Sequence, residues 1–165
     1  MTEKYVSIVN YKGDITVLNV DAIVNAANST LMGGGGVDGA IHKAAGSKLK
    51  EECKDIINSI FPSGLPTGEA VITKGYNLSA KYIIHTVGPI YRGGKNGEEI
   101  LLYNAYFNSL KVAEENQIKR IAFPNISTGA FRYPKDEAVL VRNKAISDFI
   151  SNNPEFLQEI ILVEF

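Results

Sequence analysis

Val20-Asp21-Ala22-Ile23-Val24-Asn25-Ala26-Ala27-Asn28 and, after Ser29-Thr30-Leu31-Met32, Gly33-Gly34-Gly35-Gly36-Val37-Asp38-Gly39 decide how this chain folds. The first stretch is apolar through its middle, which suits a strand buried on both faces, and it ends in asparagines. The second is bare backbone that opens a helix. Four glycines serve a tight turn, or they leave N–H groups free to approach one bound anion, phosphate above all. Asp38 stands where loop becomes helix, so a carboxylate is held beside a site suited to negative charge. As an isolated residue it is a first-turn acid; as part of this loop it is a candidate for chemistry.

Outward from this centre, strands alternate with helices. Tyr5-Val6-Ser7-Ile8-Val9 alternates and meets Gly13-Asp14-Ile15-Thr16, which predicts a strand ending in a turn with Asp14 at its tip. From Val37 to about Phe61, Ile41, Ala44, Ala45, Leu49, Cys53, Ile56 and Ile60 recur at helical spacing, with a break expected near Gly46. Glu69–Thr73 and Lys81–Val87 read as strands joined by a short loop around Gly75-Tyr76-Asn77. A helix is expected over Glu98–Asn116, a buried strand over Ile118–Phe123, a helix from near Lys135 to Ile150, and a last strand over Glu159–Phe165. The pattern predicts an α/β fold with a largely parallel sheet, plus one antiparallel pair from the middle of the chain.

The bulk composition narrows the functional classes. At 165 residues the chain is read as a single domain over residues 1–165, large enough to bury a core without disulfides or metals. Lys+Arg 17 against Asp+Glu 18 leaves a net charge of −1, which provides no basic field for a polynucleotide. Met1-Thr2-Glu3-Lys4-Tyr5 lacks an apolar signal core, and no apolar run approaches the roughly 18 residues of a membrane helix. A cytoplasmic monomer without membrane contact is expected. Cys53 falls on an apolar helical stripe and reads as a small core residue. His42 and His85 lack cysteine or paired-carboxylate company, so they read as structural and no metal site is expected.

In open α/β sheets ligands bind at the carboxyl ends of strands. Those ends carry Asp14, then Asn25 and Asn28, the glycine loop with Asp38, and Pro124-Asn125-Ile126-Ser127-Thr128-Gly129-Ala130-Phe131. Asp14 and Asn28 are ordinary turn and strand-end residues when taken singly; their convergence on one rim is what suggests a site. Two glycine-bearing loops, each ahead of a helix, can clasp a diphosphate without a lysine. No G-x-x-x-x-G-K-[ST] motif occurs. Gly34-x-Gly36-x-x-Gly39 fits the dinucleotide fingerprint, but residues 29–32 separate it from its strand and no acidic residue ends a strand about 20 residues on, so a redox enzyme is rejected. Phe131 reads as core or as a wall against a ribose face.

These segments, with Pro66-Thr67-Gly68 and His85-Thr86-Val87-Gly88-Pro89, resemble the macrodomains, and specifically their MacroD-type branch, over nearly the whole chain. The resemblance implies a three-layer α/β/α macrodomain with a central mixed, largely parallel sheet. It implies ADP-ribose as ligand, and a hydrolase acting on mono-ADP-ribosylated acidic side chains or on O-acetyl-ADP-ribose, with no cofactor. By the same resemblance Asp14, with the Ile15 backbone, takes the adenine amino group; Gly35, Gly36 and Val37 form the first diphosphate loop. Ser127, Thr128, Gly129, Ala130 and Phe131 form the second, and Asn28 with Asp38 is the catalytic pair at the distal ribose. A non-catalytic reader of ADP-ribose shares every binding residue, and only the Asn28–Asp38 pair argues for the enzyme. The chain departs from the family at Arg132, where a glycine commonly stands. It also ends at Phe165, where relatives often continue through an acidic turn and a helix, so the last strand is expected to be less covered.

Overall fold

The computed structural model describes residues 5–165; the residues before Tyr5 in the segment read as lacking a signal core lie outside the described residues. The described chain forms six strands, β1 (Ser7–Lys12), β2 (Ala22–Ala26), β3 (Ala70–Lys74), β4 (Tyr82–Thr86), β5 (Arg120–Phe123) and β6 (Glu159–Glu164). Four α-helices accompany them: α1 (Gly36–Ala45), α2 (Ser47–Ser59), α3 (Glu98–Glu115) and α4 (Lys135–Ser151). The sheet order is β1-β6-β5-β2-β4-β3. β1 with β6, β6 with β5, β5 with β2 and β2 with β4 run parallel, and β3 joins β4 antiparallel, with Ala70 opposite Thr86 and Lys74 opposite Tyr82. The mixed, largely parallel α/β sheet expected from the sequence is therefore the fold observed.

The period-2 alternation of strand side chains divides the core in two. Ala22 and Val24, Ile84, Ile121 and Phe123, Ile160 and Leu162 face one way and pack with α3 and α4 through Leu102, Tyr106, Leu110, Val141 and Phe149. Their neighbours Ile23, Ile83, Ala122, Ile161 and Val163 face the other way and pack with α1 and α2 through Ile41, Ala45, Leu49 and Cys53. This gives three layers, helices on both faces of one sheet. It also explains why β2 reads as an uninterrupted apolar run, since both of its faces are covered.

The ends of the first strand and of the helical stripe, and the coverage of the last strand, differ from the sequence reading. The first strand begins at Ser7 and runs to Lys12, because its ladder is set by β6, with Ser7 opposite Glu159 and Lys12 opposite Glu164. The helical stripe frays at its end, where Ile60 is 64% exposed just past α2, and Ala44 faces solvent. The uncovered strand is β1 rather than the last one: Ile160 to Val163 are buried, whereas every residue of β1 is exposed. No helix among the described residues is long and apolar enough to cross a membrane.

Candidate functional site

The parallel strands β1, β5, β2 and β4 send their carboxyl ends to one rim, and the residues picked out by sequence gather there. β5 and β2 are hydrogen-bonded neighbours, so the loops leaving them, 124–131 and 27–38, flank one cleft. Asp14 leaves β1, three strand spacings or roughly 14 Å from β2 along the rim. The Asp14 Oδ1 accepts the Thr16 N–H at 2.9 Å and the Thr16 hydroxyl at 2.7 Å, capping the short 3-10 turn Ile15–Val17. Both bonds fall on one oxygen, which leaves Oδ2 exposed for a ligand. The Ile15 side chain belongs to the core, so only its backbone borders the cleft.

In the glycine loop the left-handed conformations are confined to two positions, Gly33 (φ 91°) and Gly36 (φ 57°). The run therefore does more than supply torsional freedom. Gly34 and Gly39 touch across the loop, where a Cβ on Gly39 would collide with the Gly34 carbonyl oxygen. Around Gly35 and Gly36 a Cβ would meet nothing within 4 Å, so this backbone lies open to the cleft. Gly35 caps α1 without a side-chain hydrogen bond, and the first N–H groups of α1 with their partial positive charge face the same opening. Val37 behind them packs on the α1–α2 core layer.

Asp38 is 5% exposed in the first turn of α1. Its Oδ1 accepts a 2.8 Å hydrogen bond from Asn25 Nδ2 at the end of β2. Burial raises its pKa above the ordinary aspartate value, while the Asn25 hydrogen bond and His42 pull in the opposite direction. His42, one turn along α1, brings Nε2 to 3.6 Å from the same oxygen, beyond hydrogen-bonding reach, and burial holds its pKa down. Asn28 spends part of its amide on the loop itself: Nδ2 donates to the Gly33 carbonyl at 2.9 Å, and Oδ1 accepts from Thr30 N–H and hydroxyl. Its second N–H remains for a ligand. Asp38 Oδ2 and Asn28 Nδ2 lie 3.4 and 3.5 Å from the place a Gly34 Cβ would occupy, so both side chains converge on one point.

Sequence reasoning missed what stands behind Asp38. Asn25 Nδ2 also lies 3.2 Å from His85 Nδ1, and His85 Nε2 lies 3.0 Å from Thr73 Oγ1, whose hydroxyl donates to the Lys74 carbonyl. An amide nitrogen is only a donor, so His85 Nδ1 must accept and Nε2 carries the proton. Burial drives the His85 pKa down to about 3, which keeps the ring neutral. The signal available in sequence was the register: Asn25 and His85 are direct partners in the β2–β4 ladder. Cys53 lies beneath, its thiol raised to about 12 mainly by burial, consistent with a core residue. No group of His, Cys, Asp or Glu among the described residues has the makings of a metal centre.

The second loop is held from three sides. The Tyr106 hydroxyl accepts the Ile126 N–H at 3.1 Å, the Ser127 carbonyl accepts the Tyr133 N–H, and the Phe131 carbonyl accepts the Tyr91 N–H. Ser127 is buried with φ 67° and its Oγ has no hydrogen-bond partner; Thr128 is half-buried, and Gly129 and Ala130 are exposed. Phe131 and Asn28 also border a cavity of about 440 Å³ that extends toward Val87, Pro89, Ile90 and Arg92 after β4.

This rim, on a three-layer sheet of this order, is that of a macrodomain. A family-wide description, Macro domain, matches residues 24–141. The chain is 54% identical over 142 residues to the O-acetyl-ADP-ribose deacetylase of Escherichia fergusonii, covering 86% of this chain and 79% of that protein. It is 53% identical over 153 residues to a macro domain-containing protein of Methanosarcina mazei, covering 93% and 78%. Among solved structures, a glycine-to-valine mutant of the Oceanobacillus iheyensis macrodomain with ADP-ribose matches with a TM-score of 0.84 at 42% identity, covering 94% of this chain and 82% of that one. The chain belongs to the macrodomain family.

Proposed function

We propose that this macrodomain binds ADP-ribose along the carboxyl rim and hydrolyses an ester at the distal ribose, releasing mono-ADP-ribose from acidic side chains or acetate from O-acetyl-ADP-ribose. The observation that carries the reading is the convergence of Asn28 and Asp38 on Gly34, beside a helix start with no side-chain cap. The Asp14 Oδ2 accepts from the adenine amino group. The Gly35–Val37 backbone and the Ser127–Phe131 loop take the diphosphate between them. Asn28 uses its remaining N–H to orient the distal ribose. Asp38, kept basic by burial, holds and deprotonates the attacking water; the ester C–O bond breaks, and the products are ADP-ribose and a carboxylic acid. The relative named as a deacetylase supports the enzyme over a reader, because a binder gains little from a buried carboxylate near a diphosphate.

Two substitutions separate binding from chemistry. Asp38→Ala is expected to lower turnover of an acidic-linked mono-ADP-ribosyl peptide by about 10²–10⁴-fold while ADP-ribose affinity stays within a few-fold. Asp14→Ala is expected to do the reverse, weakening affinity most. Release of ADP-ribose at native rate by Asp38→Ala would remove the assigned base, and native turnover absent from both substrate types would leave the reader.

A further inference from the structure

The cavity beside Phe131 extends past Asn28 on the side away from Asp14. It therefore lies beyond the distal ribose, where the group esterified to that ribose has to leave. Val87, Pro89, Ile90, Leu101 and Phe131 give it apolar walls, which suit the methylene stem of a modified side chain. Its mouth is set by an unusual anchor. The Glu98 carboxylate, buried at the start of α3, accepts backbone N–H groups from Arg92, Gly94 and Asn96 at 2.9, 2.9 and 2.6 Å. These bonds fold residues 92–97 around the carboxylate and hold its pKa down to about 2. The loop's own cations, Arg92 and Lys95, are both exposed, and Arg92 also lines the cavity.

A third cation joins them from the other wall. The Tyr91–Phe131 backbone hydrogen bond sets the two loops side by side, so Arg92 and Arg132 each follow directly on that link. Arg132 occupies the left-handed region at φ 63°, a conformation costly for any residue with a Cβ, so the chain keeps a charge here against its backbone preference. None of the Arg92, Lys95 and Arg132 side chains makes a hydrogen bond or ion pair among the described residues. The Glu98 carboxylate beside them is already engaged by its three backbone N–H groups. Arg92 lines the cavity, Lys95 stands three residues on in the same loop, and Arg132 directly follows the lining Phe131, so on a chain of net charge −1 these three cations gather beside its mouth as a local positive rim.

We infer that this cavity receives the modified residue of a protein substrate and that the Arg92–Lys95–Arg132 rim selects acidic sequence on either side of it. The inference rests on the proposed ADP-ribose site and names its macromolecular substrate class. A polynucleotide is the less favoured occupant, because the chain as a whole carries a net charge of −1 and offers no broad basic field. Rim charges act on encounter and specificity more than on the bond-breaking step, so the effect belongs in kcat/KM and its salt dependence.

The test uses peptides carrying one mono-ADP-ribosylated glutamate, flanked by acidic or by neutral residues, together with O-acetyl-ADP-ribose, which has no flanks. The native protein is expected to favour the acidic peptide by about fivefold to tenfold at low salt, and to lose that preference in high salt. The double variant Lys95→Glu, Arg132→Glu is expected to lose or reverse the preference while turning over O-acetyl-ADP-ribose at the native rate. Equal use of both peptides, a preference that survives the double variant, or competition by a short oligonucleotide as strong as that by an unmodified acidic peptide would overturn the inference. If no substrate is hydrolysed, the enzyme assignment fails, and the affinities of the same two peptides, measured by calorimetry, still decide the docking preference.

Discussion

A single amide, Asn25, joins the cleft to the core. It is one of two hydrogen-bonding asparagines at the end of β2, yet its partners are a buried carboxylate 13 residues on and a buried imidazole 60 residues on. Donation to Asp38 favours the ionised form, so its removal should push the carboxyl further above the ordinary aspartate range. Asn25→Ala is therefore expected to move the acidic limb of the kcat/KM profile to higher pH, since Asp38 must be deprotonated to act as base. A limb that stays in place would dissociate Asn25 from the base. Sequence alone placed Asn25, Asn28, Asp38 and Asp14 on the rim. It could not assign Asn25 to Asp38, because that pairing is made by the fold bringing the α1 start over the end of β2, and no local spacing encodes it. The sequence already set His42 one helical turn after Asp38; the structure adds that its Nε2 stands 3.6 Å from the Asp38 carboxylate.

At the scale of elements, the two loops work only if the strand ends beneath them leave space. Gly88, just past β4, shows this: a Cβ there would collide with the Ser127 hydroxyl and with Ile126 Cγ2. Gly88→Ala must displace the second loop, an overpacking cost of about 1–3 kcal/mol. ADP-ribose affinity is expected to fall by at least about tenfold, with a lowered melting temperature; unchanged calorimetry would show that the loop does not bear on the ligand. The elements themselves were legible where one physical signal dominated. β2 was read from its apolar run, the α1–α2 break from Gly46, and the β3–β4 hairpin from its turn residues. The extent of β1 was less legible, because its ladder partner β6, with Glu159 opposite Ser7, lies at the far end of the chain and hydrogen bonding to it, rather than hydrophobic alternation, fixes the ends. Glu98 stood in the sequence only as the start of an expected helix; its service as the hub of the preceding loop depends on how residues 92–97 fold back.

The molecule as a whole should be acid-sensitive through its buried histidine. His85 has a folded pKa near 3 against an ordinary 6.5, so the neutral ring contributes stability above 6.5 that is lost as pH falls toward 3. Glu98, depressed to about 2 from 4.5, adds a loss at still lower pH, whereas Asp38, raised by burial, works with the opposite sign. The melting temperature is expected to fall between pH 6.5 and 3. His85→Gln is expected to start lower and to decline less steeply; an equally steep decline would place the sensitivity elsewhere.

β1 is the outermost rib of the sheet, paired on one side only and exposed along its length, yet it carries Asp14. A nucleotide stretched from Asp14 to Asn28 would thus fasten that thinly supported rib to the doubly covered centre. Its grip would double as a cross-brace, stiffening the part of the sheet that the helices leave unclad.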